Sequence, residues 1–135
     1  MITAVDTNVL LDVFGADHEF GPRSAETLRA CLREGRLIAC EVVWAETAVF
    51  FSSAAAARGS MERLGVGFSP LDLEAALAAS TAWRKHRARG GRRERVAADF
   101  LIGAHAQLHA DRLLTRDRGF YRAFFRGLKV LDPAA

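Results

Sequence analysis

Cysteine is scarce in this chain, which has only Cys31 and Cys40 among its 135 residues. Two cysteines cannot build a disulfide scaffold or a four-cysteine zinc site, so we expect small buried thiols in a reducing cytoplasm. The N-terminus lacks a basic region followed by a long apolar run, which argues against a signal peptide. Glu41 and Glu46 interrupt the most apolar stretch, residues 37–57, and disfavour a membrane span.

Repeats, low-complexity tails and linker-like stretches are also missing. Half of the residues are hydrophobic and 26% are charged, a balance typical of a globular domain. At this length the sequence predicts a single domain over residues 1–135. No glycine-rich nucleotide-binding motif and no Ser-His-Asp context is present, so neither a nucleotide cofactor nor a serine nucleophile is indicated.

The formal net charge of +3 conceals a dense basic segment. Residues 84–95 contain seven lysines and arginines and one glutamate, whereas the rest of the chain has twelve basic and fifteen acidic residues. A mildly acidic body with one basic segment favours a polyanionic partner such as nucleic acid. A solvated loop is the simpler alternative, and the charge pattern alone leaves both open.

Short apolar runs alternate with segments of helical periodicity. The runs predict strands over residues 2–5, 37–40, 112–115 and 128–131. Helices are predicted over residues 9–14, 22–35, 43–57, 70–88, 96–109 and 119–125, and a capping box from Ser69 to Asp72 opens the fourth. Strands separated by helices form parallel βαβ units. The predicted class is α/β, a three-layer sandwich with a small parallel sheet flanked by helices.

Two aspartates follow predicted strands and should lie at one edge of the sheet. Asp6 comes directly after the first strand, and Asp117 lies two residues beyond the third. Ligands of such folds bind at the carboxyl ends of the strands. The alternative for each aspartate is a structural role, since aspartate is also a favoured helix N-cap. Asp12 and Asp17, around the end of the first helix, are expected to be solvated.

Two more carboxylates stand among apolar neighbours. Glu46 occurs in the run VVWAETAVFF and Asp99 in the run VAADFLIGA. A buried carboxylate is costly unless it is paired or binds a cation, so both are candidates for a functional site. Glu41, which directly follows the second strand, competes with Glu46 for this role but is also a plausible cap.

Four carboxylates that meet at one edge repel one another unless a divalent cation lies between them. Oxygen-only ligands suit Mg²⁺ or Mn²⁺ better than Zn²⁺. Such a site beside a basic groove suits the hydrolysis of a phosphodiester, because metal ions activate water and neutralise charge on the leaving oxygen. His105 and His109 have the helical spacing of zinc ligands, but no intervening glutamate and no obvious third ligand accompany them.

Four motifs occur in an order that resembles a known family. They are Val5-Asp6-Thr7-Asn8, Trp44-Ala45-Glu46, the run ADFLIGAHA over residues 98–106 and the run LLTRDRGF over residues 113–120. From Ile2 to about Pro133 the chain resembles the PIN domain, and more closely the VapC-type toxin ribonucleases of toxin–antitoxin pairs. Phe100, Gly103 and His105 depart from the residues usual at their positions and leave the carboxylates intact.

The resemblance implies a role for each of these residues. The catalytic, metal-binding set would be Asp6, Glu46, Asp99 and Asp117, with Asp6 and Asp99 as direct ligands and Asp117 acting through water or a second ion. Thr7, Asn8 and Thr115 would orient the carboxylates and water. The implied activity is a Mg²⁺- or Mn²⁺-dependent endoribonuclease, for which transfer RNA is the family-level substrate.

The resemblance also implies three partners: an RNA substrate, a VapB-type antitoxin protein and a second copy of the chain in a homodimer. We expect the arginines of the basic segment to rim the acidic site and hold the RNA backbone: Arg87, Arg89, Arg92, Arg93 and Arg95. Contact with the antitoxin is the rival interpretation of these arginines. The alternative function is a non-catalytic RNA- or partner-binding module on the same fold.

Overall fold

The computed structural model describes residues 1–90 and 97–134. Its strands are β1 (Ile2–Val5), β2 (Arg36–Ala39), β3 (Val66–Phe68), β4 (Arg112–Leu114) and β5 (Val130–Leu131). They form one parallel sheet in the order β3-β2-β1-β4-β5. The central strand β1 pairs Thr3 with Leu37 of β2 and Ala4 with Leu113 of β4. The predicted α/β class with a parallel sheet is confirmed.

Helices flank this sheet within the described residues. They are α1 (Thr7–Phe14), α2 (Gly21–Glu34), α3 (Glu41–Ala48), α4 (Ala54–Leu64), α5 (Leu73–Ala88), α6 (Ala97–His109) and α7 (Arg118–Phe124). Because helices cover the faces of the sheet, β1, β2 and β4 are almost entirely buried, as their continuous apolar runs predicted.

The predicted helix over residues 43–57 is wrong in one respect, since the chain breaks there into α3 and α4. Ser53 caps the second helix, and its hydroxyl accepts a 3.1 Å hydrogen bond from the Ala56 N–H. Gly65 ends that helix in a left-handed conformation with φ of 88°. The short strand β3 follows directly. It was not predicted because it contains Gly67, and glycine has a low strand propensity.

The predicted capping box is also wrong. Asp72 and not Ser69 is the N-cap of α5, and its Oδ1 accepts a 2.9 Å bond from the Ala75 N–H. Pro70 therefore precedes the helix instead of opening it.

Two departures from the family pattern on α6 have a packing explanation. A Cβ atom at Gly103 would overlap Cε2 of Phe125, so only glycine fits beneath that ring. Phe100 is fully buried and stacks on Trp83 of α5, with ring centres 5.5 Å apart. Both residues therefore serve the contact of α6 with its neighbours.

Cys31 and Cys40 are both buried and free, as predicted. Across residues 1–90 and 97–134, every helix is too short or too polar to cross a membrane.

Candidate active site

Asp6 follows β1 directly and caps α1 at the same time. Its Oδ1 accepts a 2.7 Å hydrogen bond from the Thr7 N–H, which is a helix cap. Its Oδ2 accepts a 2.7 Å bond from the hydroxyl of Thr115, at the end of β4. The residue is only 6% exposed. The structural role of a cap thus accounts for one oxygen, and the second faces the neighbouring strand end.

The Thr115 hydroxyl joins several of the predicted residues. It accepts hydrogen bonds from the Asp117 N–H at 3.0 Å and from the Asn8 side-chain amide at 3.3 Å. These two accepted bonds occupy the lone pairs of the hydroxyl oxygen. The single hydroxyl proton is donated to Asp6. The Asn8 amide also lies 3.4 Å from Oδ2 of Asp6. Asn8 and Thr115 therefore hold the Asp6 carboxyl group in one orientation.

The charges of three carboxyl groups act on the hydroxyl of Tyr121. Asp99 lies in the first turn of α6, and Asp117 precedes α7 as an N-cap whose side chain makes no capping bond. Burial, and then the charges of Asp6, Asp99 and Asp117, raise the pKa of Tyr121 far above its usual range. The tyrosine therefore stays protonated and donates its hydrogen bond to Asp6.

The carboxyl group of Asp6 is difficult to ionise in this environment. Burial raises the pKa of Asp6 from 3.8 to about 6, and the charge of Asp99 adds to the rise. Hydrogen bonds from Thr115, Thr7 and Tyr121 lower the pKa but offset the burial only in part. A cation beside these carboxylates would favour the ionised form, because it opposes both burial and like-charge repulsion.

Glu46 lies at the rim of this group and is exposed, so the expectation that its apolar neighbours bury it is wrong. The short helix α3 buries Val43 and Thr47 and turns Glu46 to another face. Its Oε1 nevertheless accepts a 2.7 Å bond from the Thr7 hydroxyl. Glu46 is thereby linked to the residue that follows Asp6.

Glu41 and the two histidines of α6 have structural partners near the start of α5. Oε1 of Glu41 accepts a 2.7 Å bond from the backbone N–H of residue 71. Glu41, the alternative to Glu46 as a site residue, therefore has a structural role. Nε2 of His105 lies 3.0 Å from the Ser69 hydroxyl, and Nε2 of His109 lies 2.9 Å from a carboxylate oxygen of Asp72. The two histidines with zinc-like spacing thus each contact a different partner.

Asp12 is buried, and the expectation that it is solvated is wrong. Nε and Nη2 of Arg116 donate to its two carboxylate oxygens at 2.8 and 2.9 Å, and the Ser24 hydroxyl donates at 2.9 Å. The Arg116 guanidinium also lies over the Phe20 ring, 4.0 Å from its centre. Since Arg116 stands between Thr115 and the aspartate after it, this ion pair anchors the end of β4 to α1.

Sequence reasoning missed Tyr121 and Arg116. Tyr121 is the only tyrosine of the chain and follows Asp117 by four residues, about one helical turn. Arg116 lies between two predicted residues, Thr115 and Asp117. Apart from these positions, nothing in the sequence indicated a role for either residue, because Asp12 and Asp6, with which they interact, are distant along the chain.

The structure describes two of the five predicted RNA-binding arginines. Arg87 and Arg89 are exposed at the C-terminal end of α5. Arg92, Arg93 and Arg95 lie outside the described residues. The Arg89 guanidinium lies 5.4 Å from the centre of the Phe124 ring, at the end of α7.

The carboxylates of this site suit a hard divalent cation. Within the described stretches no three His, Cys, Asp or Glu side chains lie close enough to enclose a metal ion. Mg²⁺, however, usually takes only one or two carboxylates and keeps several waters. Asp6 and Asp99 are near enough for the charge of one to raise the pKa of the other. The donor chemistry therefore fits Mg²⁺ or Mn²⁺.

Residues 3–125 match the PIN domain family. The match spans most of the chain, so the protein belongs to the PIN domain family. The parallel sheet and the aspartates at its carboxyl edge agree with this assignment. Among curated proteins, no sequence matches this chain.

Several solved structures have the same fold at low sequence identity. A chain of VapBC2 from Rickettsia felis, bound to a DNA fragment from the promoter, is similar with a TM-score of 0.75 and 14% identity over 98% of both chains. VapBC-1 from nontypeable Haemophilus influenzae has a TM-score of 0.74 and 18% identity over 100% of both chains. FitAcB from Neisseria gonorrhoeae has a TM-score of 0.70 and 22% identity over 98% of both chains.

Proposed function

We propose that this protein is a divalent-metal-dependent endoribonuclease that acts as the toxin of a toxin–antitoxin pair. The observation that carries the proposal is that the charges of three carboxyl groups, Asp6, Asp99 and Asp117, all act on the buried hydroxyl of Tyr121. Membership of the PIN family supports it, since PIN domains are generally nucleases. The similarity to chains of VapBC and FitAcB structures supports the toxin half of the proposal.

Each side chain has a proposed task. Asp6 and Asp99 would be the direct ligands of Mg²⁺ or Mn²⁺, Asp117 would act through water or a second ion, and Glu46 would complete the set from the rim. A bound ion supplies Lewis-acid chemistry, in that it makes water more acidic and offsets charge on a phosphodiester. Thr115 and Asn8 keep the Asp6 carboxyl group in orientation, as the partners of ligands commonly do.

A toxin requires a partner that holds it inactive, and we propose a VapB-type antitoxin. An apolar groove of about 730 Å³ lies between α3, α4 and β3, with Trp44, Ala57 and Phe68 in its wall. Phe68 is 58% exposed, and large exposed apolar surfaces mark partner sites. Because α3 also carries Glu46, a segment in this groove would contact the same helix as that carboxylate.

A homodimer is proposed as well. Leu73 and Leu77 stand one turn apart on α5 and are 70% and 53% exposed, which suits contact with a second copy. The buried free thiols of Cys31 and Cys40 support a cytoplasmic location. The match of residues 3–125 to one family supports a single domain.

The proposed nuclease activity is tested by incubating total RNA with purified, partner-free protein in Mg²⁺, in Mn²⁺ and in EDTA. Asp6→Asn and Asp99→Asn should each reduce cleavage by more than about 100-fold, since even the indirect partners of metal ligands contribute 10- to 100-fold. Glu26→Gln is the matched control, because it removes an exposed carboxylate that pairs with Arg29 on the surface of α2.

Metal-dependent cleavage that both aspartate variants lose and the control keeps would support the proposal. Folded wild-type protein that binds RNA yet cleaves nothing in either metal would refute it. That result would favour the non-catalytic RNA- or partner-binding module.

A further inference from the structure

A second groove lies between α5, α6 and α7 and is lined by positive charge. Its volume is about 500 Å³. Lys85 and Arg89 of α5 form one wall, Arg126 after α7 forms the other, and Gln107 of α6 lies between them. Among residues 1–90 and 97–134, none that lines the groove is acidic.

In the described part of the chain, the three cations of this groove are brought together without a carboxylate partner. Five other arginines, by contrast, each form an ion pair with a carboxylate: Arg29, Arg58, Arg112, Arg116 and Arg118. Within the described residues, Lys85, Arg89 and Arg126 form none. Gathering like charges without an anion is unfavourable, so this groove is complementary to an anion supplied from outside.

Helix dipoles account for part of this charge. Cations are favoured at the C-terminal end of a helix, and Lys85 lies in the last turn of α5. The helix dipole does not explain why cations from the ends of two helices lie in one groove. Arg89, at the end of α5, and Arg126, after α7, both line this groove.

Both walls of the groove are anchored. The Arg89 guanidinium lies 5.4 Å from the centre of the Phe124 ring, which is within the range of a cation–π contact. The Gln107 side-chain amide donates a 2.8 Å hydrogen bond to the backbone carbonyl of Arg126. Gly127 follows with φ of 86° and lets the chain turn there. A groove held in this way presents its charges in a defined arrangement, as recognition of a phosphate requires.

The groove is close to the candidate active site. Helix α7 begins after Asp117 and has seven residues, so its far end lies roughly 10 Å from that carboxylate at 1.5 Å per residue. One end of α7 thus belongs to the acidic site and the other borders the cationic groove. A flexible polyanion bound at the carboxylates would need to extend only a short way to reach the three cations.

We propose that the groove between α5, α6 and α7 binds backbone phosphate of single-stranded RNA through Lys85, Arg89 and Arg126. This inference rests on the proposed function and deepens it, because it locates the path of the substrate beyond the carboxylates. The contacts are to phosphate, so they add affinity and position the strand without reading its sequence.

The test is the salt dependence of binding of a fluorescent single-stranded oligoribonucleotide, measured by anisotropy in EDTA so that the RNA stays intact. The double variant Lys85→Gln, Arg126→Gln should raise Kd about 10-fold at moderate salt. It should also reduce the slope of log Kd against log salt by about 0.7 for each phosphate that the protein no longer neutralises.

A matched control is Arg29→Gln, Arg33→Gln on α2, which changes the net charge equally and should leave the slope as in wild type. A second variant, Lys85→Arg, Arg126→Lys, keeps both charges and should bind nearly as wild type does, which separates loss of charge from misfolding. Circular dichroism checks that every variant is folded.

An unchanged slope in the glutamine double variant would overturn the proposal. So would an equal loss in the α2 control, since binding would then follow net charge alone. If the double variant bound RNA normally but lost binding of a polyglutamate peptide, the groove would be a protein site, and the proposal would again be wrong.

The proposed nuclease can fail separately. RNA cleaved with metal but bound independently of Lys85 and Arg126 refutes this inference alone. RNA never cleaved, yet bound through these two residues, refutes the nuclease and supports the groove.

Discussion

Replacing Asp6 with asparagine should make the metal-free protein more stable at neutral pH, although Asp6 lies at the centre of the site. The physical reason is the raised pKa of Asp6, about 6 in the folded protein against 3.8 for an ordinary aspartate. When a group binds its proton more tightly in the folded state than in the unfolded state, the protein loses stability as the pH rises. The loss begins near pH 3.8 and is complete above about pH 6.

The size of the effect follows from the two pKa values. A difference of about two pKa units corresponds to about 3 kcal/mol of unfolding free energy. Asparagine carries no charge and avoids this cost, but it has one acceptor oxygen and cannot keep every bond that Thr7, Thr115 and Tyr121 make with Asp6. A net gain of about 1–2 kcal/mol near pH 8 is expected, which is about 3–10 °C in Tm for a domain of this size.

The assay is urea denaturation in EDTA, followed by the fluorescence of Trp44 and Trp83, at about pH 4.5 and about pH 8. Relative to wild type, Asp6→Asn should gain stability as the pH rises between these two values. Addition of Mn²⁺ at neutral pH should stabilise the wild type, because a ligand of the folded state adds to its stability. The variant should gain little from Mn²⁺.

Asp12→Asn is the control, because Asp12 is also a buried aspartate of the first helix but has Arg116 and Ser24 as partners. Its charge is compensated, so its loss should cost about 1–3 kcal/mol. If Asp6→Asn destabilised the protein as much as Asp12→Asn at both pH values, the argument from burial and repulsion at Asp6 would be refuted.

Three further predictions concern the neighbours of these aspartates. Thr115→Val removes the hydroxyl that donates to Asp6 and should weaken Mn²⁺ binding by about 10- to 100-fold in calorimetric titration, whereas Thr115→Ser should not. Tyr121→Phe removes one of the donors to Asp6 at almost constant volume and should lower the unfolding free energy by about 1 kcal/mol; no loss in urea denaturation at pH 8 would contradict the assigned bond. Arg116→Met leaves Asp12 buried without its bidentate partner and should cost about 3 kcal/mol in the same assay, and Arg116→Lys should restore only part because a lysine cannot form both bonds.

Local sequence features predicted where most of the elements lie. The strands β1, β2 and β4 are short apolar runs, and runs of this kind are typical of parallel strands buried on both faces. The strand β3 escaped prediction because Gly67 weakens its pattern. The break between α3 and α4 escaped as well, since the apolar and small residues from 43 to 57 fit one helix as well as two.

The ends of the predicted strands also indicated which carboxylates lie at one edge of the sheet. Asp6 ends β1 and Asp117 comes shortly after β4, and adjacent parallel strands end at one edge of the sheet. The rule of strand ends therefore places these two aspartates at the same edge. Asp99 was assigned from its apolar neighbours, and the structure does bring it near Asp6.

The behaviour of these groups depends on contacts that form only in the folded chain. Arg116 pairs with Asp12 across 104 residues, and the helical face of α3 leaves Glu46 exposed where its neighbours suggested burial. The raised pKa of Asp6 arises from burial and from the charge of Asp99 on α6. The burial of a side chain, the direction in which it points and its charge partners depend on atoms that are close in space but distant along the chain. A local pattern can therefore name the candidate residues, and packing sets their protonation, their partners and their exposure.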